Sequence, residues 1–466
     1  MSLFPVSRTK IMNKEKHFYF YWIWLIPASF FLFTGCHDPK IPGVMDDPGW
    51  SYSPESVAPI QINSEIENTS TDTDSLDAVT MHRLVLSRHP AVLASEAAQM
   101  EAVARNKVAR RLPNPEIETR LMYLDGQRTK FEGGLMFSLP LGGRLGAAGQ
   151  VSDGEVALAD ASVRDAHKQA ILELGSTLVR LEGARNRLAL YENLAVRSAD
   201  YAQLARTRLS ATISDPLDVS LVLTDAASDQ RALTRSREEV TRTDAELRLL
   251  IGVTDRHQGI ITPQLDISPF CHDPDSLIAL AQRNSEPLLR ARLEYQQSEW
   301  QAALASRQRI PDLQLGPAFD MGPDDTELGV AFSIPLPIFD SGEAEYKASL
   351  AHREAAWAAM EYASREVNSQ IYQALNRLNA LDTALDDLLG EVATSAAEAF
   401  DLAEGRYLAG QTDVLRLLTA HRTYASVQLE IIDITVARHE TLLELESLVG
   451  RPLHSEHLPR QLEATP

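Results

Sequence analysis

Basic residues are scarce in this sequence relative to acidic ones. The 466 residues include 44 Lys and Arg against 65 Asp and Glu, which gives a formal net charge of −21 at pH 7. Nucleic-acid binding needs clustered Lys and Arg to contact phosphates, so this balance argues against a nucleic-acid partner. Cysteine is also scarce, and Cys36 and Cys271 supply neither a zinc-ligand spacing nor a disulfide framework.

Sequence motifs of catalysis are lacking as well. Ser and Asp residues occur without a nucleophile elbow, and the chain has no Gly-rich phosphate loop. The 12 histidines are scattered, and the positions of His421 and His439 beside a helical seam favour packed or solvated side chains over metal ligands. We therefore expect no enzyme activity, no cofactor and no metal site.

Long hydrophobic runs are confined to the amino terminus. Residues 18–33 are apolar, follow a basic leader, and precede Thr34, Gly35 and Cys36. These are the parts of a secretory signal. A cysteine directly after the small residues resembles a bacterial lipoprotein signal, which implies that Cys36 receives lipid and that the chain is delivered to the outer membrane. A cleaved signal without lipid and a retained anchor helix are the alternatives, although Pro27 interrupts a run that is already short for a membrane span.

The rest of the chain divides by composition and pattern. We predict a lipoprotein-type signal peptide at residues 1–35 and an acidic polar tether at residues 36–77, which is too polar to bury a core. Two similar units follow at residues 78–253 and 274–453. A linker at residues 254–273 joins them, and residues 454–466 form a tail.

The two units are copies of one large repeat. Arg208 and Arg406, Asp215 and Asp413, and Gly252 and Gly450 are each separated by 198 positions. A constant offset over about 45 positions indicates an internal duplication. Each copy ends in a helix whose apolar residues alternate by three and four, the seam of a helix packed along a neighbour. Arg438 and Thr441 interrupt the seam of the second copy.

Each copy also contains a predicted pair of strands followed by a very long helix. Alternating patterns predict strands at residues 117–123, 131–139, 313–321 and 328–334, with one bulky apolar face and one small or polar face. Such strands fit a barrel wall between lipid and water, or an ordinary half-buried hairpin. Helices are predicted at residues 146–209 and 342–408, and about 65 residues span about 100 Å. Four strands cannot close a barrel, so at least two further chains would be needed.

These features together resemble the TolC-type outer-membrane efflux channel family, with its heavy-metal Czc- and Cus-type branch. The specific parts are the strand ends Phe137-Ser138-Leu139-Pro140 and Phe332-Ser333-Ile334-Pro335, and the turn Arg406-Tyr407-Leu408-Ala409-Gly410. The resemblance implies a mostly α fold with a small transmembrane β part. It implies a homotrimer in which each chain gives four strands to a 12-stranded β-barrel and long helical hairpins to a periplasmic α-barrel.

The resemblance also implies function, partners and location. It implies a passive outer-membrane conduit of a tripartite efflux system, which exports metal ions or small toxic molecules. Its expected partners are a periplasmic adaptor, an inner-membrane pump and outer-membrane lipid. The alternative is a lipid-tethered periplasmic coiled-coil adaptor or scaffold protein. The strand pair ahead of each long helix discriminates between them, because the channel alone needs that pair twice.

The candidate site is the pair of turns between the long helices, which the resemblance implies is the periplasmic entrance. Asp215 and Asp413 are predicted helix N-caps, and they are also candidates for pore gating. We expect Arg208, Arg406 and Arg416 to pair with the tip carboxylates in a closed state. The complete set of candidate tip and gate residues is Asp215, Asp218, Arg406, Gly410, Asp413 and Arg416.

Overall fold

The computed structural model describes residues 75–124, 128–211, 215–254, 259–263, 265, 270, 273–322 and 325–453. All of them belong to one unit, Asp72–Pro466. The predicted signal peptide with Cys36, most of the predicted tether and the predicted tail lie outside the described residues, so these assignments stay predictions. Within the described residues, no helix is both long enough and apolar enough to cross a membrane.

The described chain shows the predicted duplication. The first copy comprises α1 (Ala78–Arg88), α2 (Pro90–Ala109), β2 (Glu116–Leu124), β3 (Arg128–Leu139), α3 (Arg144–Ser210) and α4 (Pro216–Ile251). The second comprises α5 (Pro274–Asn284), α6 (Glu286–Gln308), β5 (Leu313–Met321), β6 (Thr326–Ser333), α7 (Glu343–Asp387), α8 (Ala393–Leu408) and α9 (Val414–Val449). The two-residue strands β1 (Ser75–Leu76) and β4 (Gly259–Ile260) pair in parallel.

The long helix differs between the copies. In the first copy α3 runs for 67 residues without a break. In the second, a π-helical segment at Leu388–Val392 separates α7 from α8, where the sequence predicted one continuous helix. Gly390 lies in this segment, and a Cβ built on it would meet no atom within 4 Å. A glycine in open space lowers the cost of leaving α geometry, because it has no side chain that packs in the regular helix.

The two strand pairs form one four-stranded antiparallel sheet with the order β2-β3-β5-β6. The β3–β5 pairing joins the two copies, with Phe131 opposite Met321 and Phe137 opposite Leu315. The backbones approach closely there, since a Cβ on Gly316 would lie 1.8 Å from the Leu135 carbonyl oxygen. Within the described residues, β2 and β6 each pair on one side and are the edges of the sheet.

Each copy has its own hydrophobic core beside the ends of its helical hairpin. In the first copy, residues of α1, α3 and α4 pack around Leu181 and Leu247, which are fully buried. In the second, residues of α5, α7 and α9 pack around Leu378 and Leu445. A third core lies beneath the two turns and contains residues of both copies. The turns of the two hairpins are therefore held together by packing.

The seam of α9 is not interrupted where the sequence suggested. Arg438 and Thr441 are both fully buried. The Arg438 side chain is accommodated because its Nε donates to Oδ1 of Asp382 on α7, at 2.5 Å. The Thr441 hydroxyl donates to the Ala437 carbonyl oxygen within the same helix, at 2.8 Å. Both polar side chains therefore continue the packed face.

Candidate functional site

The turn from α3 to α4 is closed by a side-chain cap. Asp215 has extended backbone geometry, and its carboxylate accepts a hydrogen bond from the Leu217 amide at 2.9 Å. Pro216 follows at the first helical position, where an amide would have no partner within the helix. Asp218 lies in the first turn of α4, where a carboxylate is stabilised by the positive end of the helix dipole. The predicted cap at Asp215 is confirmed.

The turn from α8 to α9 has a glycine stop and a second carboxylate cap. Gly410 has φ of 73°, in the left-handed region that favours glycine. The Gln411 amide donates to the Arg406 carbonyl at 2.8 Å, and the Gly410 amide to the Tyr407 carbonyl at 3.0 Å. This pair of bonds is the Schellman arrangement. The Asp413 carboxylate then accepts from the Arg416 amide at 3.0 Å, which confirms the second predicted cap.

The arginines of the turns do not pair with the tip carboxylates within the described part of the chain. Arg208 instead donates through Nη2 to the carbonyl oxygens of Tyr407 and Leu408, at 2.8 and 3.0 Å. Its guanidinium lies 4.7 Å from the centre of the Tyr407 ring. Arg406 and Arg416 are exposed, and among the described residues neither forms a salt bridge. Arg208 therefore satisfies the end of α8 and links the first hairpin to the second.

The core beneath the turns brings α3, α4, α8 and α9 together. Its buried members are Tyr201, Ala202, Ala205, Val219, Val222, Phe400, Tyr407, Val414, Leu417 and Leu418. Burial raises the pKa of the Tyr407 hydroxyl, and the Asp218 carboxylate acts in the same direction against Arg208. Asp218 is close enough to Tyr407 to affect its pKa, and Arg406 directly precedes Tyr407 in the sequence. Both gate candidates therefore lie at the edge of the core beneath the turns.

A second polar contact joins α3 to α8. The Tyr201 hydroxyl donates to Oε1 of Glu404 at 2.5 Å, and Arg197 Nη1 donates to Oε2 of the same carboxylate at 3.2 Å. Burial raises the pKa of Tyr201, and the hydrogen bond to Glu404 raises it further. The Tyr201 hydroxyl thus keeps its proton at neutral pH and can donate it to Glu404.

Sequence reasoning missed a buried polar cluster next to this core. Asp225 and Asp229 lie four residues apart on α4, and His421 faces them from α9. Nδ1 of His421 lies 3.3 Å from Oδ2 of Asp225, and Nε2 lies 3.7 Å from Oδ2 of Asp229. Arg422 Nε donates to Oδ1 of Asp225 at 2.8 Å. Two acids at this spacing share one helix face, which was the available signal, but nothing local indicated the histidine opposite.

Opposite effects act on the two carboxylates. Burial acts to raise the pKa of Asp225, but His421 and Arg422 outweigh burial and hold the pKa below its ordinary value. Burial raises the pKa of Asp229, and there the opposing effects of His421 and Ser198 are the weaker ones. The Asp225 carboxyl is therefore ionised more readily than an ordinary aspartate, and the Asp229 carboxyl is ionised less readily.

The sheet has the two different faces that the sequence predicted. One face is bulky and apolar, and its outer members are largely exposed: Tyr123 is 81% exposed, Leu328 84% and Phe332 75%. The pairing register places further large side chains on this face, namely Ile117, Leu121, Phe131, Phe137, Leu315, Phe319 and Val330. Exposed apolar area of this extent marks a surface for lipid or another chain.

The opposite face of the sheet carries small and charged side chains. Lys130 forms salt bridges with Glu132 and Asp320, and Arg120 Nη1 lies 3.7 Å from Oε2 of Glu132. These charges lie near the hairpin ends of β2, β3 and β5. Small residues continue this face toward the helices: Gly134, Gly316, Ala318, Gly329 and Ala331. A sheet of this kind separates an apolar medium from an aqueous one.

Comparison with known proteins gives a consistent result. The model of the outer membrane efflux protein family matches residues 82–253 and 277–451, once in each copy. The cobalt-zinc-cadmium resistance protein CzcC of Cupriavidus metallidurans is 24% identical over 353 residues, which cover 74% of this chain and 82% of that protein. Outer membrane protein OprJ of Pseudomonas aeruginosa is 26% identical over 338 residues, covering 67% and 68%. The crystal structure of CusC shares the fold, with a TM-score of 0.69 at 16% identity and coverage of 83% and 95%.

Proposed function

The chain belongs to the outer membrane efflux protein family. From that membership we infer that its sheet and its helical turns are parts of the outer-membrane channel of a tripartite efflux system. The family is one of passive channels, not of enzymes. The match extends over both copies, each with its strand pair. The alternative of an adaptor or scaffold protein has no use for those strands and is set aside.

Three copies of the chain form the channel in this proposal. The observation that carries it is the four-stranded sheet, which has an exposed bulky face, a charged or small face, and the edges β2 and β6. Unpaired backbone groups at a sheet edge are not tolerated in lipid, so the sheet must close into a barrel. Four strands are too few to close a barrel, so several chains must supply the strands. The bulky face then contacts lipid, and the opposite face lines the water-filled interior.

Neighbouring positions on β6 test which face contacts lipid. Val330 is 72% exposed on the bulky face, and Ala331 points to the small face. An arginine on the lipid side costs about 2–4 kcal/mol at the bilayer centre, whereas the interior tolerates it. We expect Val330→Arg to reduce the amount of protease-resistant protein in the outer membrane and Ala331→Arg to leave it near wild type. Equal loss in both variants, or loss in Ala331→Arg alone, would contradict this orientation.

The turns form the periplasmic tip of the channel, where the adaptor docks. Arg406, Gly410 and Arg416 are exposed on the surface of the second turn, as an interaction surface requires. Asp215, Asp218 and Asp413 add carboxylates that would surround the axis of a trimer. We propose that these six residues set the docking and the ion preference of the entrance, in addition to the caps already described.

We propose that divalent metal ions are the cargo, and the match to CzcC supports this. CzcC carries cobalt, zinc and cadmium resistance in its name, and its match covers most of its length. In a strain deleted for this chain, we expect growth on zinc, cobalt and cadmium to be inhibited at lower concentrations, and the wild-type gene to restore growth. A panel of lipophilic drugs serves as the control. A deletion that sensitises the strain to the drugs alone would assign the channel to drug export.

The lipid anchor is a separate part of the proposal and rests on the signal sequence. Cys36→Ser should abolish incorporation of labelled palmitate and slow processing of the signal. Trimer assembly should survive, because the sheet itself contacts the membrane. Undiminished labelling of the Cys36→Ser protein would remove the anchor and leave the channel proposal intact.

A further inference from the structure

We propose that Asp225, Asp229 and His421 bind one divalent first-row transition-metal ion, of the Zn²⁺ or Co²⁺ type, which links α4 to α9 beside the core of the turns. Each side chain offers one ligand atom, and the three atoms lie within 4.8 Å of one another. The site is part of the wall formed by the helices. It does not depend on which solute the channel exports.

The strongest observation is that buried polar atoms here have no hydrogen-bond partner. His421 is 1% exposed and Asp225 is 4% exposed. Nε2 of His421 and Oδ2 of Asp229 are buried and without a hydrogen bond, and Oδ2 of Asp225 has only the 3.3 Å contact with Nδ1 of His421. A buried polar atom left unpaired costs about 1–3 kcal/mol, more for a charged group. A ligand that contacts His421 and both carboxylates would supply the missing partners.

The chemistry of the three donors suits a transition metal. Zinc is bound by imidazole nitrogen and carboxylate oxygen at about 2.0–2.2 Å, which places neighbouring ligand atoms roughly 3.4 Å apart in a tetrahedron. Because the three atoms lie within 4.8 Å of one another, metal binding would draw them together by up to about 1.4 Å. Calcium and magnesium prefer oxygen ligands alone, so the histidine argues against them. Three protein donors leave one position for water.

Neighbouring residues prepare the site in two ways. Arg422 Nε holds Oδ1 of Asp225 at 2.8 Å, which fixes the carboxylate and directs Oδ2 toward His421. Tyr201 and Phe400 contact the His421 ring from α3 and α8, with ring centres at 6.4 and 5.4 Å, and so limit its rotation. Fixed orientation of the ligands by such contacts is typical of protein metal sites.

Titration of the purified, full-length protein in detergent, without a histidine tag, tests the proposal. Calorimetry with ZnCl₂ should show one ion per chain, and CoCl₂ should give visible absorption bands of a bound ion. Asp229→Asn and His421→Gln should each weaken binding at least tenfold. Asp401→Asn and His352→Gln are the matched controls, because both residues are exposed on neighbouring helices and outside the cluster.

Absence of saturable binding to the wild type, or equal binding by wild type, Asp229→Asn and His421→Gln, would show that His421 is merely clamped between two carboxylates. If His421→Gln fails to fold, the isosteric Asp229→Asn decides. Because metal binding is measured without transport, failure of the cargo proposal would leave this result unaffected, and failure here would leave the channel standing.

Discussion

At the scale of single residues, the carboxylate of Asp413 has one role that the structure shows and one that we propose. It accepts the Arg416 amide and so caps α9. Removing such a cap costs about 1 kcal/mol. We expect Asp413→Ala to lower the thermal midpoint of the purified channel slightly, whereas Asp401→Ala, an exposed aspartate within α8, should leave the midpoint unchanged.

The proposed second role of Asp413 is tested by ion selectivity. Three copies of this carboxylate around one axis would attract cations to the entrance. In planar bilayers with a salt gradient, Asp413→Ala should shift the reversal potential toward lower cation preference, and Asp401→Ala should not. Identical reversal potentials for wild type and Asp413→Ala would reduce Asp413 to a cap.

The contacts of Arg208 in the structure differ from those that the sequence predicted. The sequence grouped it with Arg406 and Arg416 as a partner for tip carboxylates, but it donates to two backbone carbonyls at the end of α8 and lies over Tyr407. Its loss leaves those carbonyls without this donor and loosens the contact between the hairpins. We expect Arg208→Ala to raise single-channel conductance in planar bilayers.

Arg206 provides the control for that measurement, since it is exposed two residues earlier on the same helix. Arg206→Ala removes the same charge without the bonds to α8, so its conductance should match wild type. Arg406→Ala should have a smaller effect than Arg208→Ala, because among the described residues Arg406 forms no salt bridge. A larger effect at Arg406 would indicate a partner on another chain.

At the scale of helices and strands, most of what the sequence predicted rests on local signals. Pro216, Gly410 and the two capping aspartates mark the turns, and alternation of side chains gives the strands and their faces. Contacts between positions that are distant in the sequence have no such local signal. The Arg438–Asp382 pair and the His421 cluster join different helices, so the sequence alone indicated an interrupted seam and did not reveal the buried cluster. Helix packing decides these contacts, and periodicity does not reveal them.

The buried pair between α7 and α9 gives a prediction at this scale. Arg438 is fully buried and donates to Asp382 at 2.5 Å. Removing one partner of a buried pair costs about 3–5 kcal/mol, since the other charge stays in the interior. Asp382→Ala should therefore lower the thermal midpoint of the channel strongly. Asp382→Ala combined with Arg438→Leu should recover part of the loss.

An exposed ion pair on α7, the helix that carries Asp382, is the control for that prediction. Arg365 Nη2 lies 2.7 Å from Oε2 of Glu361, one turn away on α7, with both side chains open to solvent. Exposed pairs of this spacing contribute about 0.3–0.5 kcal/mol. Glu361→Ala should change the midpoint far less than Asp382→Ala. Similar shifts for both would mean that burial of Arg438 does not govern the packing of α7 on α9.

At the scale of the whole molecule, the sides of β2 and β6 that pair with no strand in the described residues are the basis of the assembly that we propose. In lipid, every backbone amide and carbonyl must be paired within protein, and one unpaired group costs several kcal/mol. In the part of the chain that the structure describes, the larger sheet has four strands and two edges. Edges that pair between copies remove this cost when the sheet closes on itself. We therefore expect a stable trimer, and the mass of the detergent-solubilised protein, corrected for bound detergent, should equal three chains.

Engineered cysteines test which edges meet. With Cys36 and Cys271 replaced by serine, Thr119→Cys on β2 is combined in turn with Leu328→Cys, Val330→Cys or Phe332→Cys on β6. At least one combination should form cross-linked trimers on oxidation, because β2 of one chain lies beside β6 of the next in a closed barrel. Glu132→Cys with Asp320→Cys is the control, since these positions already pair within one chain and should cross-link without raising the mass. A stable monomer in detergent, with no combination that links two chains, would overturn the trimer and with it the closed channel.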